Sequence, residues 1–94
     1  MIEYLYDAIR ASAGEDITIA AKITDEDGNI ETNTCYLMLH TETEMLAHEA
    51  GTLKDGVWEF TIPAATTAGL KGRYWYCISQ ETNKLCFNQP IYLV

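Results

Sequence analysis

Apolar residues at every second position constrain the fold of this chain more than any other feature of its sequence. DITIAAKIT, which starts at Asp16, has the alternating apolar set Ile17, Ile19, Ala21 and Ile23. VWEFTIP repeats the pattern with Trp58, Phe60 and Ile62, and then Pro63 ends the run because it cannot donate a backbone hydrogen bond to a sheet. Since successive side chains of a strand point to opposite faces, a period of two predicts strands that are buried on one side.

Further strand and turn signals divide the rest of the chain. TCYLMLH is a strand with Cys35, Leu37 and Leu39 on one face, MLAHEA is a weaker strand, and an opening strand lies in EYLYDAIRA. GRYWYCIS and KLCFNQPIYLV form a hairpin, DEDGN and KDG are turns, and AATTAGL is a single helical turn. About seven short strands with turns every 8 to 12 residues predict an all-β immunoglobulin-like β-sandwich of antiparallel strands, with the helical turn at the corner before the sixth strand. The predicted core includes Ile19, Leu37, Trp58 and Phe60.

LKGRYWY, residues 70–76, places aromatic residues after a glycine at the start of an apolar run. In immunoglobulin-type sandwiches a tyrosine near the start of the sixth strand hydrogen-bonds to the preceding corner, and an inward position follows two residues later. Gly72, Tyr74 and Tyr76 match this spacing. We therefore predict that Tyr74 is the corner tyrosine and that Tyr76 fills the core position that antibodies give to cysteine. The alternative is an ordinary aromatic-rich strand.

Composition and charge restrict the class of protein. The 94 residues fit a single domain, 1–94, and a content of 48% hydrophobic and 21% charged residues is that of a globular chain. The net charge of −8, from 14 Asp and Glu against 6 Lys and Arg, disfavours nucleic acid and membrane surfaces as partners. MIEYLYDAIR lacks the basic and apolar regions of a signal peptide, so we expect the chain to stay in the cytoplasm after synthesis.

Few residues are suited to catalysis. Cys35, Cys77 and Cys86 form no CxxC pair and have no sequence-local His or Lys partner that would mark a nucleophile. In a reducing compartment we predict free thiols, while Cys77 and Cys86 could oxidise across their hairpin in a purified sample. Since GxSxG, HExxH and phosphate-binding glycine loops are also missing from the sequence, we predict a protein that is not an enzyme.

Two segments have some character of a metal site. His40 and His48 flank TETEMLA, but a structural site needs four well-placed ligands, and a hairpin rich in Glu and His is usually only solvated. The glutamates near these histidines are Glu42, Glu44 and Glu49. DEDGN resembles the start of a calcium loop, with Asp25, Asp27, Gly28 and Asn29, but lacks the remaining ligands and the closing glutamate. We predict no metal and no cofactor.

EDITIAAKITDEDGN, KDGVWEFTIPAATTAGLKGRYWYCIS and the closing PIYLV together resemble the small immunoglobulin-like domains of phage and prophage structural proteins. They are similar to the N-terminal domain of baseplate upper proteins of tailed phages. The resemblance covers most of the chain from Asp16 onward, whereas baseplate upper proteins continue beyond this domain. It implies a structural component of a virion, in the tail, the baseplate or in association with the capsid, made in the bacterial cytoplasm and then assembled.

Two functions remain open from the sequence. The first is a structural subunit that binds copies of itself or other virion proteins, and the second is a module that binds carbohydrate or a cell-surface partner, because the fold does not decide between them. Sugar sites usually expose aromatic residues, but the loops DEDGN, TETE, KDG and QETN are acidic or polar. The sequence therefore favours assembly through protein contacts.

The alternation of strand residues predicts where such contacts lie. If Tyr74 and Tyr76 point inward, then Trp75 and Cys77 point outward, and the third and last strands present Tyr36, Met38 and Tyr92 on the same side. The third, sixth and seventh strands of this fold share one sheet, so Tyr36, Met38, Trp75 and Tyr92 are predicted to form an exposed apolar interface patch. The alternative is that a bulge near Pro90 breaks the alternation or that MIEYLYDAI covers the sheet.

Overall fold

The chain forms two β-sheets packed face to face in a computed structural model, which describes residues 2–6, 10–80, 83–84 and 89–94. Along the chain these are β1 (Ile2–Tyr6), β2 (Arg10–Ala11), β3 (Ile17–Ile23), β4 (Tyr36–His40), β5 (Met45–Ala50), β6 (Thr52–Lys54), β7 (Val57–Ile62), α1 (Ala64–Thr67), β8 (Gly72–Gln80), β9 (Asn83–Lys84) and β10 (Gln89–Leu93). The prediction of an all-β sandwich with one helical turn before the penultimate long strand is confirmed.

The strand order is that of an immunoglobulin-type sandwich. One sheet has four strands in the order β1-β3-β7-β6, and the other has six, with the path β2-β10-β8-β4-β5 and β9 paired to β8. The described pairings are antiparallel except that β2 runs parallel to β10. The expectation of about seven antiparallel strands is therefore corrected in two details: one pairing is parallel, and the segments are more numerous because the chain divides a strand between the two sheets at each edge.

Gly51 is the point where the chain passes from one sheet to the other along one edge. β5 pairs with β4 in the six-stranded sheet, and β6 pairs with β7 in the four-stranded sheet. A Cβ atom on Gly51 would lie 2.5 Å from Cε1 of Phe60 and 2.9 Å from Cε3 of Trp58. The crossing therefore requires a residue without a side chain, because the backbone passes directly over these two core rings.

The core is formed by the inward residues of both sheets. Ile19, Leu37 and Phe60 are fully shielded from solvent, and Trp58 is 4% exposed. The indole nitrogen of Trp58 donates a hydrogen bond to the carbonyl of Glu31 at 2.9 Å, so burial of this ring leaves no unpaired donor. Residues taken from DITIAAKIT and VWEFTIP face each other across the β3–β7 pairing, as their period of two requires.

Two tight turns follow from acidic residues and glycine. In DEDGN, the carboxylate of Asp25 accepts hydrogen bonds from the amides of Asp27 and Asn29, each at 2.9 Å, and Gly28 has a φ of 82°. The carboxylate thus stabilises the turn itself. Between β6 and β7, Asp55 and Gly56 have φ values of 52° and 78°, the left-handed pair that a two-residue hairpin turn needs.

The corner before β8 is held by side-chain hydrogen bonds to the backbone. The hydroxyl of Tyr74 donates to the carbonyl of Lys71 at 3.3 Å and accepts from the amide of the same residue at 3.4 Å. These are the contacts of a tyrosine corner. Gly72 begins β8 with a φ of 102°, and Tyr76 is 1% exposed in the core.

The helical turn α1 is fastened to the segment before β3. Thr67 is fully buried, and its hydroxyl accepts a hydrogen bond from the amide of Gly14 at 3.0 Å. The carboxylate of Asp16 accepts from the amide of Ala64 at 2.7 Å, which satisfies a donor at the start of the turn. Within the part of the chain that the structure describes, no helix is long and apolar enough to cross a membrane.

Candidate functional site

The outer face of the six-stranded sheet is the surface that the sequence singles out. Leu37, Leu39, Tyr76, Ile78, Ile91 and Leu93 belong to the buried core, so the residues between them point away from it. Strand pairing then defines the outer face on β4, β5, β8 and β10 by these positions: Tyr36, Met38, His40, Met45, His48, Ala50, Arg73, Trp75, Cys77, Ser79, Pro90 and Tyr92.

The four residues predicted as an interface are all brought to this outer face. They come from three neighbouring strands, β4, β8 and β10. Met38 pairs with Cys77, Trp75 pairs with both His40 and Pro90, and Tyr92 pairs with Arg73. Tyr92 is 53% exposed, while Trp75 and Met38 are half-buried. Tyr36 is also half-buried and occupies the end of the face opposite to Tyr92.

Cys77 corrects one expectation about this face. It points outward by alternation, but it is only 1% exposed, and it does not belong to the buried core cluster. Ser79, the next outward residue, is 3% exposed, and its hydroxyl oxygen has no hydrogen-bond partner. Cys77 and Ser79 are therefore buried positions on the outer side of the sheet and add no accessible surface to the face. The predicted thiol of Cys86 lies outside the described residues.

The N-terminal segment does not cover the outer face over its described residues. β1 pairs with β3 in the opposite sheet, and β2 extends the six-stranded sheet at its edge by pairing with β10. Pro90 remains in register with Trp75, without a bulge at that pairing. Both alternatives to an accessible patch, a cover from MIEYLYDAI and a slip near Pro90, therefore find no support in residues 2–6, 10–11 and 89–94.

β5 enlarges the outer face beyond the predicted residues. His48 pairs with Met38, and Met45, which is 57% exposed, pairs with His40. The sequence predicted this strand without assigning its two sides. Strict alternation from His48 would have placed Leu46 on this face, but an irregularity between Leu39 and His40 shifts the register by one residue and places Met45 there instead. The sequence signal for this part of the face was Met45, since the outward residues of an edge strand in contact with water are normally polar.

The two histidines, His40 and His48, contact different groups. A ring nitrogen of His40, Nδ1, lies 2.8 Å from the carbonyl oxygen of Thr41, whereas the ring of His48 packs on Tyr36 with centroids 4.6 Å apart. Glu49 pairs with Leu37, on the side of β5 opposite to His48. Among the residues that the structure describes, no group of three or more His, Cys, Asp or Glu is placed to hold a metal ion.

The outer face differs from the rest of the surface in charge. None of its described positions is Asp or Glu, although the chain has 14 such residues. On β4, β5, β8 and β10 its charged residue is Arg73, and the short strands β9 and β2 pair Lys84 with Ser79 and Arg10 with Tyr92 of this face. An apolar surface with Trp, Tyr, Met and Arg, and without carboxylates, has the composition of a protein interface core.

Cys35 is a buried thiol whose environment disfavours the thiolate. Burial raises the pKa of this thiol from about 9 to about 11, against the smaller opposing effect of a hydrogen bond from Gln80. The amide nitrogen of that side chain, Nε2, lies 3.7 Å from the sulfur. Because the thiolate is the reactive form, a raised pKa and complete burial make Cys35 a structural residue.

A protein of known structure shares the fold of this chain. The chain is similar to the crystal structure of domains 4 and 5 of the S-layer protein SbsC, with a TM-score of 0.58 and 16% sequence identity. The similarity covers 100% of this chain and 51% of the S-layer chain, so this chain spans about half the length of that neighbour. Neither a protein-family model nor a curated protein matches the sequence. At this identity the similarity supports the β fold alone.

Proposed function

We propose that this chain is a structural, non-enzymatic assembly domain that works through protein contacts made by the outer face of the six-stranded sheet. The observation that carries the proposal is the apolar set Tyr36, Met38, Trp75 and Tyr92, which is continuous across three neighbouring strands and free of carboxylates. A connected patch of this kind on a strongly acidic chain is unusual for a surface in contact with water alone.

The proposal extends to a setting, that of a virion component in a tail, a baseplate or beside a capsid. This part is supported by the resemblance of EDITIAAKITDEDGN and KDGVWEFTIPAATTAGLKGRYWYCIS to domains of phage and prophage structural proteins. The described turns at 25–29, 41–44 and 55–56 contain no aromatic residue, which favours assembly over carbohydrate binding.

A matched pair of variants tests the assembly role. The chain is co-expressed with the products of its neighbouring genes, and the mass of any assembly is measured by sedimentation and electron microscopy. Trp75→Glu adds a carboxylate to the outer face, and Thr18→Glu adds the same charge to an exposed position of the opposite sheet. We expect wild type and Thr18→Glu to enter a high-mass assembly and folded Trp75→Glu to stay outside it. Assembly of Trp75→Glu at the wild-type level would contradict the proposal.

A further inference from the structure

We propose that the partner of the outer face is a second copy of this chain, bound face to face about a two-fold axis that runs across the strands. The proposal rests on the assembly role proposed above and names its partner. Two copies with a net charge of −8 each repel one another, so a self-contact needs a surface from which carboxylates are excluded. The outer face meets that requirement at all of its described positions.

The area of the face is sufficient for a stable pair. The chain measures 40 × 26 × 18 Å, and the shortest dimension is that of two stacked sheets. The broad side of such a slab has an area on the order of 1,000 Å², whereas a standard protein interface buries about 800 Å² on each partner. A contact of normal size therefore has to cover most of this broad side, with Met38 and Trp75, residue types that are common in interface cores, near its centre.

The position of Arg73 selects the direction of the axis. Arg73 lies beside Tyr92 at one end of the face, and Tyr36 lies at the other end. An axis parallel to the strands, between β8 and β4, would keep Arg73 at the same end as Arg73 of the copy, only one strand spacing (about 4.8 Å) to the side. An axis across the strands turns one copy end for end, which moves Arg73 toward Tyr36 of the second copy, where a guanidinium over an aromatic ring is favourable. Each strand then lies over the same strand of the copy, running in the opposite direction.

This symmetry makes a specific prediction about β5. Ala50 at one end of the strand approaches Met45 of the second copy at the other end. With the alternative axis, Met45 would instead approach Tyr92 of the copy, because the two residues occupy the same end on opposite margins of the face. Ala50, Met45 and Tyr92 are all exposed in the single chain, so each can be replaced by cysteine and reached by a reagent.

The experiment uses the full chain in two steps. Sedimentation equilibrium first measures the self-association of wild type, Trp75→Glu and Thr18→Glu, with circular dichroism to confirm that each is folded. We expect a dimer whose dissociation constant rises at least tenfold with Trp75→Glu and less than twofold with Thr18→Glu. A wild type that stays monomeric at high concentration overturns self-pairing, while the assembly role is judged separately by the co-expression experiment.

Cross-linking then tests the axis. In one mixture Ala50→Cys is combined with Met45→Cys, and in a second mixture Met45→Cys is combined with Tyr92→Cys. Each mixture is treated with a short bismaleimide. Wild type and the single variants, treated in the same way, measure the background from the natural thiols. We expect a covalent dimer from the first mixture at several times the yield of the second. A higher yield from the second mixture shows an axis along the strands, and background yields from both show that the dimer uses another surface. Either result overturns the proposal.

Discussion

The two outer faces of this sandwich are built by the same alternation but have opposite chemistry. On the four-stranded sheet most outward residues of β3, β6 and β7 are polar and exposed, namely Thr18, Lys22, Thr52, Lys54, Glu59 and Thr61, and the apolar ones, Ala20 and Val57, are small or half-buried. The hydroxyl oxygens of Thr18 and Thr61 lie 3.4 Å apart across the β3–β7 pairing. On the six-stranded sheet the central outward positions hold Tyr36, Met38 and Trp75, with polar residues such as Ser79 and Arg73 among them but no carboxylate.

The difference teaches that folding requires only the inner faces to be apolar. A polar outer face costs the folded state little, because its side chains remain hydrated in both states. The four-stranded sheet follows this simple solution. The six-stranded sheet instead leaves the apolar side chains of Tyr36, Met38 and Trp75 only half-buried on its outer face, and this is the reason for proposing a partner there.

The substitution with the largest expected effect, Gly51→Ala, disturbs the inner side of both sheets, where they pack on each other. Gly51→Ala places a methyl group against Phe60 and Trp58, and overpacking of this kind costs about 1–3 kcal/mol of unfolding free energy. We expect the midpoint of urea denaturation to fall accordingly.

A double variant separates steric conflict from other causes. Phe60→Leu removes part of the ring that the methyl group meets, so the cost of Gly51→Ala should be smaller in that background than in wild type. Additive effects, or an unchanged midpoint for Gly51→Ala alone, would show that the backbone can move away from the core at this crossing.

The second prediction compares an inner and an outer tyrosine on two neighbouring strands. Tyr74 points toward the core and hydrogen-bonds to Lys71, whereas Tyr92 points to the outer face. Tyr74→Phe should cost about 1 kcal/mol, the usual net value of a hydrogen bond, and Tyr92→Phe less than about 0.5 kcal/mol. Chemical denaturation of both variants measures the difference. Equal costs would show that the hydroxyl of Tyr74 does not stabilise the corner.

Much of the inner structure could be predicted from sequence, because alternation and spacing are local signals. Ile19 and Phe60 follow from a period of two, and Tyr74 follows from its distance to Gly72. The burial of Cys77 could not be predicted, since alternation assigns a side but not what surrounds it. The sheet crossing at Gly51 also has no local signal, because its glycine is required by rings that approach from β7.

The smallest predicted effect concerns the inner side of the same six-stranded sheet. Burial raises the pKa of the Cys35 thiol to about 11 in the folded chain, while the unfolded thiol titrates near 9. The folded state holds the thiol proton to higher pH than the unfolded state, so this stabilisation is complete well below pH 9 and is lost as the pH rises through 9 toward 11. Relative to Cys35→Ala, wild type should lose about 0.4 kcal/mol of unfolding free energy between pH 7 and pH 9.

Denaturation of wild type and Cys35→Ala across this pH range measures the loss. All other ionisable groups are common to the two proteins, so their contributions cancel in the difference between the two curves. A constant difference from pH 7 to pH 9 would mean that the thiol ionises equally in both states. That result would place water beside Cys35, the fully buried residue that precedes β4, and would weaken the contrast between a dry inner side and the partly exposed outer face.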